Sequence, residues 1–123
     1  GIFCLTSLHT SCSLTINENA DPNVLKDLEK FIKSIVPYNC YNSVSKEREE
    51  IYYEHFQEGE DDMPAHIKTA LTNTNLSLSF QKGRLILGTW QAIYLWEHRF
   101  STKKRSISVH IIGKKKSSIY SSK

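Results

Sequence analysis

DPNVLKDLEKFIKSIVP, at residues 21–37, is the stretch of sequence that decides the fold. Asp21 is a good helix N-cap, and Pro22 suits the first helical turn. Pro37 ends the element. Between them the apolar residues recur at helical spacing, namely Val24, Leu25, Leu28, Phe31, Ile32, Ile35 and Val36. The pattern predicts an amphipathic helix of about four turns that lies on a sheet.

Strand-forming segments surround this helix on both sides. Residues 1–16 are rich in strand formers, and polar and apolar positions alternate towards their end. Downstream, residues 76–80 and 84–87 predict a hairpin around a turn at residues 81–83. Two more strands are predicted, over residues 90–98 and 105–112.

The remaining segments give a second helix and an irregular region. Acidic residues stand directly before Met63 and Pro64, which is typical of a helix start, so residues 65–71 are predicted to be a short helix. Residues 38–62 are irregular, with a short exposed helix expected over the charged run at 46–50. Consecutive short strands with two helices predict an α+β fold with a mainly antiparallel sheet.

Composition sets the class of protein. The 123 residues fit one domain, and 39% are apolar, which is enough for a core. No run approaches the ~20 apolar residues of a membrane helix. The three cysteines are odd in number and have no CxxC spacing, which favours reduced thiols and a cytoplasmic protein. The first residues do not resemble a signal peptide.

The charge is uneven along the chain. The net charge is +3, and Lys114, Lys115 and Lys116 account for all of it. We therefore expect a single domain over residues 1–112 and a basic, Ser- and Lys-rich tail over residues 113–123. Residues 1–5 look like a core strand entered midway, so we expect the N-terminal strand region to be truncated. The tail predicts a solvated end, although a run of lysines can also contact phosphate.

Histidines and carboxylates are the residues that could carry chemistry. Phosphate-binding loops, the dinucleotide fingerprint, HExxH and the nucleophile elbow are all missing from the sequence. Imidazoles are common ligands of zinc and other divalent ions, and they also move protons near neutral pH. Each histidine could equally be a packed or surface residue, and Glu18 and Asp21 could simply cap the helix.

Three segments together resemble the YjbQ-like family, the UPF0047 group. They are His9-Thr10-Ser11 through Asp21-Pro22, then Asp61-Asp62-Met63-Pro64-Ala65-His66-Ile67-Lys68, and then Gly83-Arg84-Leu85 through Trp90-Gln91 to Glu97-His98-Arg99. They follow one another in the family's order and spacing over about residues 1–100. The sequence departs from the family pattern after Arg99, where residues 100–105 replace the usual glycines and Arg-rich strand.

The resemblance implies a curved antiparallel sheet with two helices, a homotrimer and a polar pocket. By motif it implies a divalent metal, with zinc as the candidate, at His9, His55 and His66. It places Glu97, His98 and Glu18 as candidate catalytic residues, with Asp62 nearby. A thiamine-phosphate synthase activity has been attached to members of this family, so the resemblance also implies a substrate that is a phosphorylated small molecule.

Three functions remain open at the level of sequence. The first is an enzyme in which a metal neutralises phosphate and an imidazole or Glu97 moves a proton. The second is a non-catalytic protein that holds a metal or ligand in the same pocket. The third is nucleic-acid binding by the tail, which the lack of a spread basic face with interleaved aromatics disfavours.

Overall fold

The fold is built from two helices and short strands. A computed structural model describes residues 1–45 and 47–115. The helices are α1 (Pro22–Ile35) and α2 (Asp62–Leu71). In chain order the strands are β1 (Ile2–Ser7), β2 (Cys12–Glu18), β3 (Cys40–Asn42), β4 (Glu50–Tyr52), β5 (Asn75–Gln81), β6 (Arg84–Leu85), β7 (Gln91–Glu97) and β8 (Ile107–Ile112). The architecture confirms the predicted α+β class.

The strands pair antiparallel throughout, in three sheets within the described residues. A four-stranded sheet has the order β6-β5-β1-β8, β2 pairs with β7, and β3 pairs with β4. The second sheet sets Leu14 opposite Leu95, and Leu14 is almost completely covered. The antiparallel prediction is confirmed, but the described strands are divided among three sheets instead of forming the expected single sheet.

The helix α1 forms for the local reasons that its sequence predicts. The Asp21 carboxylate accepts a hydrogen bond from the amide of Asn23 at 2.9 Å, and Pro22 is the first helical residue. Ile32 and Val36 are buried, whereas Phe31 is 63% exposed. The predicted apolar face is therefore wider than the surface it covers on β2. Full burial of one such side chain stabilises by about 1.5–3 kcal/mol.

Two segments differ from prediction. The strand-forming residues 1–16 are divided between two sheets, because β1 joins the four-stranded sheet while β2 joins β7, and the chain turns at residues 8–11 to pass between them. The charged run forms no helix over residues 47–50. Arg48 instead has φ 47° in a turn, and Glu50 begins β4. Lys46 lies outside the described residues.

The helix α2 begins where the acidic residues stand, as expected, but at Asp62, three residues before the predicted start. Pro64 and Ala65, which belong to its first turn, are buried. Asp61 occupies the N-cap position, but its carboxylate accepts no hydrogen bond from the helix amides, because that carboxylate is bound elsewhere.

Three other predictions concern the chain as a whole. The three cysteines are free thiols. Neither described helix is long and apolar enough to cross a membrane. Residues 113–115 of the predicted tail are exposed, and residues 116–123 lie outside the described residues.

Candidate metal centre

Two histidines and one carboxylate meet at the start of α2. One possible ligand atom from each of His55, Asp62 and His66 lies within 4.8 Å of the other two. Asp62 and His66 are four residues apart on the helix, so they share one face of it. His55 comes from the loop before the helix, and its ring lies 5.3 Å from that of His66.

One oxygen of Asp62 serves both histidines. Its Oδ2 lies 3.5 Å from Nε2 of His66 and is hydrogen-bonded to Nε2 of His55. A tetrahedral ion with bonds of about 2.0–2.1 Å places neighbouring ligand atoms about 3.4 Å apart. The Asp62–His66 separation already matches that spacing. Glu58 adds an exposed carboxylate 3.9 Å from His55 Nε2.

Arg99 forms ion pairs with both Asp61 and Asp62. Its Nη1 donates to Oδ1 of Asp62 at 2.9 Å, and its Nε donates to Oδ2 of Asp61 at 3.0 Å. The amide of Phe100 also donates to Asp61 Oδ2, at 2.7 Å. The carboxylate of Asp62 is thus divided, with one oxygen on Arg99 and the other directed towards the histidines.

These contacts keep both carboxylates ionised. Burial opposes ionisation of Asp62, but the hydrogen bond from His55 and the charge of Arg99 outweigh it and lower the pKa of Asp62. Burial also opposes ionisation of Asp61, but the hydrogen bonds from Arg99 and Phe100 outweigh it and lower the pKa of Asp61. An ionised carboxylate beside two imidazoles is a donor set that suits zinc or another divalent transition metal.

His9 stands apart from these three residues. It lies in the turn between β1 and β2 and lines a groove with His66. Its Nε2 accepts a hydrogen bond from the amide of Ser106 at 2.7 Å. The structure thus brings together His55 and His66 but not His9. A metal role for His9 stays a prediction and requires the bond to Ser106 to break or the other ring nitrogen to bind.

An aromatic cavity adjoins the cluster on the side of His55. It has a volume of about 420 Å³ and is lined by Tyr52, Tyr53, His55, Phe56 and Met63 among others. The Tyr53 hydroxyl donates to the carbonyl of Pro37 at 2.7 Å, which holds its ring in place. Ligand pockets are commonly apolar cavities with a few polar groups, and this one contacts the cluster through His55.

Glu97 is held in an ion pair at the end of β7. Arg105 donates to both of its carboxylate oxygens, and the amides of Lys103 and Arg99 donate to it at 3.0 and 3.3 Å. Burial opposes ionisation, yet these donors lower the pKa of Glu97 to about 2. A carboxylate so fully bonded is a weak base, and its catalytic role stays a prediction.

His98 is buried next to Glu97 and faces away from solvent. It is 4% exposed, and its Nε2 is hydrogen-bonded to the hydroxyl of Ser13 at 2.8 Å. Burial lowers the pKa of His98 to about 4, and the nearby Lys68 ammonium adds to the effect. The ring therefore stays neutral at physiological pH. Its predicted catalytic role would need access that its 4% exposure does not provide.

Glu18 ends β2, where it pairs with Gln91 of β7. Its carbonyl accepts a hydrogen bond from the Tyr94 hydroxyl at 2.7 Å. These contacts belong to the β2–β7 sheet rather than to the cluster of His55, Asp62 and His66. The catalytic role of Glu18 stays a prediction.

Sequence reasoning missed the parts played by Asp61 and Arg99. The sequence signal was present, because Asp61 sits beside Asp62 and Arg99 ends the segment after Glu97. Nothing in the sequence spacing shows, however, that residues 37 and 38 positions apart meet. Only the folded chain, in which the segment after β7 lies against the start of α2, brings them together.

Comparison with known proteins gives consistent matches. The family described as UPF0047 protein YjbQ-like matches residues 1–114. A UPF0047 protein of Synechocystis is 48% identical over 105 residues, which are 85% of this chain and 65% of that relative. The UPF0047 protein YjbQ of Escherichia coli O157:H7 is 44% identical over 113 residues, or 92% of this chain and 74% of the relative.

Solved structures match to a similar extent. A conserved hypothetical protein from Thermus thermophilus aligns with TM-score 0.72 and 33% identity, covering 91% of this chain and 78% of that one. An uncharacterised yjbq/upf0047 protein from Clostridium acetobutylicum aligns with TM-score 0.71 and 33% identity, covering 91% and 75%. The described fold is therefore one that experimental structures also show.

Proposed function

Because the chain belongs to the YjbQ-like UPF0047 family, we propose that it is a divalent-metal protein acting on phosphorylated small molecules. The ion would be held by His55, Asp62 and His66. The observation that carries this proposal is the convergence of those three ligand atoms within 4.8 Å.

The surroundings of the three residues support a cation. Asp62 remains ionised, Glu58 lies within 3.9 Å of His55, and Arg99 is engaged with the opposite oxygen of Asp62. His55 and His66 are part-exposed, with side chains 47% and 32% accessible, so an ion there stays within reach of a substrate. Closed structural zinc sites have four protein ligands, whereas catalytic sites keep a position open.

The chemistry follows from what the site offers. A bound divalent ion supplies charge neutralisation for phosphate oxygens. The two imidazoles and the Asp62 carboxylate orient it and set its charge. For the thiamine-phosphate synthase reaction, a pyrimidine pyrophosphate would join a thiazole phosphate. The carbon–oxygen bond to the leaving pyrophosphate breaks, a carbon–nitrogen bond forms, and pyrophosphate leaves with the electron pair.

The first test is metal binding by the full chain. Titration with zinc or cobalt(II), followed by calorimetry and by the visible spectrum of cobalt, is expected to give one ion per chain. His66→Ala and Asp62→Asn are expected to weaken binding by at least about tenfold, the usual scale for loss of a group that holds or orients a metal. His110→Ala is the matched control, since His110 lies on the edge strand β8, away from the cluster.

The second test is turnover of the two phosphorylated substrates. Wild type is expected to release pyrophosphate in a metal-dependent manner, and His66→Ala to lose about 10²–10³ in rate. Metal binding without turnover would replace this reaction with the binding-protein alternative. Equal rates in wild type, variants and chelator would assign the activity to a contaminant and would contradict the proposal.

A further inference from the structure

The aromatic cavity beside His55 has walls that come from separate parts of the fold. Tyr52 ends β4, and Tyr53 and Phe56 follow it in the chain. Met63 lies in the first turn of α2. The other described lining residues are Asn39, His55, Gly59 and Glu60. The volume of about 420 Å³ falls within the range of small-molecule sites, roughly 300–1,000 Å³.

Hydrogen bonds hold the two tyrosines of the wall and use their hydroxyl protons. The Tyr53 hydroxyl donates to the carbonyl of Pro37 at 2.7 Å, and its amide donates to the carbonyl of Asn39 at 3.0 Å. The Tyr52 hydroxyl donates to the Glu50 carboxylate at 3.1 Å. Because these protons are already engaged, the two tyrosines offer a ligand mainly the carbon surface of their rings.

Two aromatic side chains of the wall are largely exposed to solvent. Phe56 is 68% exposed and Tyr52 is 65% exposed. Removing apolar ring surface from water is favourable, and offset or edge-to-face contact between two aromatic rings adds to the gain. A planar aromatic ligand would obtain both contributions here, whereas a saturated ring would obtain only the first. The wall therefore favours an aromatic ligand.

Charge separates this cavity from the part of the site that suits phosphate. Glu60 is the one acidic residue among its described lining residues, and none of them is lysine or arginine. A phosphate in the cavity would be repelled by that carboxylate, with no cation in the described lining to offset the repulsion. A neutral ring with an amino group suits the same wall, because an amino group donates hydrogen bonds and a carboxylate accepts them.

His55 joins the cavity to the cluster of His55, Asp62 and His66. It lines the cavity, and its Nε2 is hydrogen-bonded to Oδ2 of Asp62. The ring of His66 lies 5.3 Å from the ring of His55. A ligand in the cavity that contacts His55 is therefore next to the proposed ion.

We propose that the aromatic cavity binds the pyrimidine ring of the pyrophosphate-bearing substrate, with the pyrophosphate on the neighbouring metal centre. The inference rests on the proposed function for the identity of the substrate and for the position of its pyrophosphate. The pyrimidine is assigned to the cavity rather than the thiazole, because the pyrimidine substrate carries the leaving group that the ion neutralises. Phe56 and Tyr52 then determine the preference for an aromatic ring.

Nuclear magnetic resonance of the isotope-labelled full chain tests this with three probes, each added to the metal-free and to the zinc-loaded protein. The probes are 4-aminopyrimidine, cyclohexylamine and inorganic phosphate. We expect 4-aminopyrimidine to shift the ring signals of Tyr52, Tyr53 and Phe56 in both forms of the protein. Cyclohexylamine, a saturated ring of similar size, is expected to leave them in place. Inorganic phosphate is expected to shift only the signals of Asp62 and His66, and only with zinc.

Variants make the test specific to the wall of the cavity. Phe56→Ala removes its most exposed ring and is expected to weaken 4-aminopyrimidine binding about two- to tenfold without changing zinc affinity. Phe31→Ala is the matched control, since Phe31 is also largely exposed but lies on α1, outside the cavity. Because both rings are exposed, neither variant is expected to unfold the protein. Equal affinity in wild type and Phe56→Ala, or an equal loss in Phe31→Ala, would overturn the proposal.

The ring site and the metal centre fail in distinguishable ways. Shifts of the three rings with 4-aminopyrimidine but no zinc binding would refute the metal centre and leave the ring site standing. Zinc binding without those shifts would refute the ring site and leave the metal centre standing.

Three further outcomes would overturn the inference about the ring site. Equal shifts with cyclohexylamine would show that the cavity does not select aromatic rings. Shifts with 4-aminopyrimidine only in the zinc-loaded protein would mean that the probe binds the ion through a ring nitrogen. Ring signals that move when the protein alone is diluted would assign the cavity to a second copy of the chain.

Discussion

Arg99 donates from Nη1 to Oδ1 of Asp62 at 2.9 Å and so leaves Oδ2 as the oxygen that meets the two histidines. The same guanidinium binds Asp61 and the carbonyl of Glu58, at 2.9 Å for the latter. One side chain from the segment after β7 therefore anchors both the start of α2 and the loop before it.

We expect Arg99→Gln to be strongly destabilising. Asp61 and Asp62 are 8% and 2% exposed, so removing their cation leaves two buried carboxylates without compensation. Breaking a buried ion pair in this way costs about 3–5 kcal/mol. Urea unfolding should show the loss, with Arg99→Lys intermediate because lysine lacks the forked geometry. A change below about 1 kcal/mol, the scale of an exposed pair, would mean that solvent replaces the guanidinium.

The buried imidazole of His98 should make the free energy of unfolding fall as the pH is lowered below about 6.5. Its folded pKa of about 4 lies below the ordinary value of 6.5, so the unfolded chain binds the proton more readily. Stability from this residue is complete above pH 6.5 and is lost as the pH falls towards 4, by up to about 3 kcal/mol. Unfolding measured from about pH 7 to 5, within that window, should be flatter in His98→Gln. Parallel curves would contradict the assignment.

The Glu97 carboxylate should affect the stability of the fold over a lower range of pH. Its folded pKa of about 2 lies below the ordinary 4.5, so the stability it provides is present above pH 4.5 and is lost as the pH falls towards 2. Glu97→Gln is expected to destabilise the protein at about pH 7 and to narrow its difference from wild type at about pH 3. Thermal unfolding at the two pH values measures this. Glu47→Gln, on an exposed turn, is the control.

The edge strand β8 carries apolar side chains that are exposed in the described part of the chain. Val109 and Ile111 are 55% and 62% exposed, and both lie on one face of the strand. We propose that copies of this chain cover that face in a homotrimer, because exposed apolar patches commonly mark interfaces. Light scattering at micromolar concentration should give three times the chain mass, and Val109→Lys should reduce it. A monomeric wild type would refute the trimer.

The parts of the fold that sequence could predict are those with local causes. The helix α1 was predictable because Asp21, Pro22 and Pro37 act within a few residues of its two ends. The hairpin of β5 and β6 was predictable for the same reason, since Lys82 and Gly83 adopt positive φ in its turn. The division into separate sheets was not, because no local signal shows that β1 and β2 take different partners.

The site was predictable only in part for a related reason. Family resemblance drew attention to His55, His66 and Asp62, and the structure places these together. It grouped His9 with them, but the backbone amide that holds His9 belongs to Ser106, 97 residues away. Long-range contacts of this kind depend on packing and leave no periodic trace in the sequence.

The hydrogen bonds that anchor Asp62 have a consequence for how tightly an ion can bind. A ligand set that must be ordered by the ion loses conformational entropy at that moment, which weakens affinity. Here the carboxylate is already oriented by Arg99, and His66 is carried on a formed helix. An ion bound here would have to replace the hydrogen bond between His55 and Asp62 and immobilise the loop residue His55, but the other two proposed ligands would need little reordering.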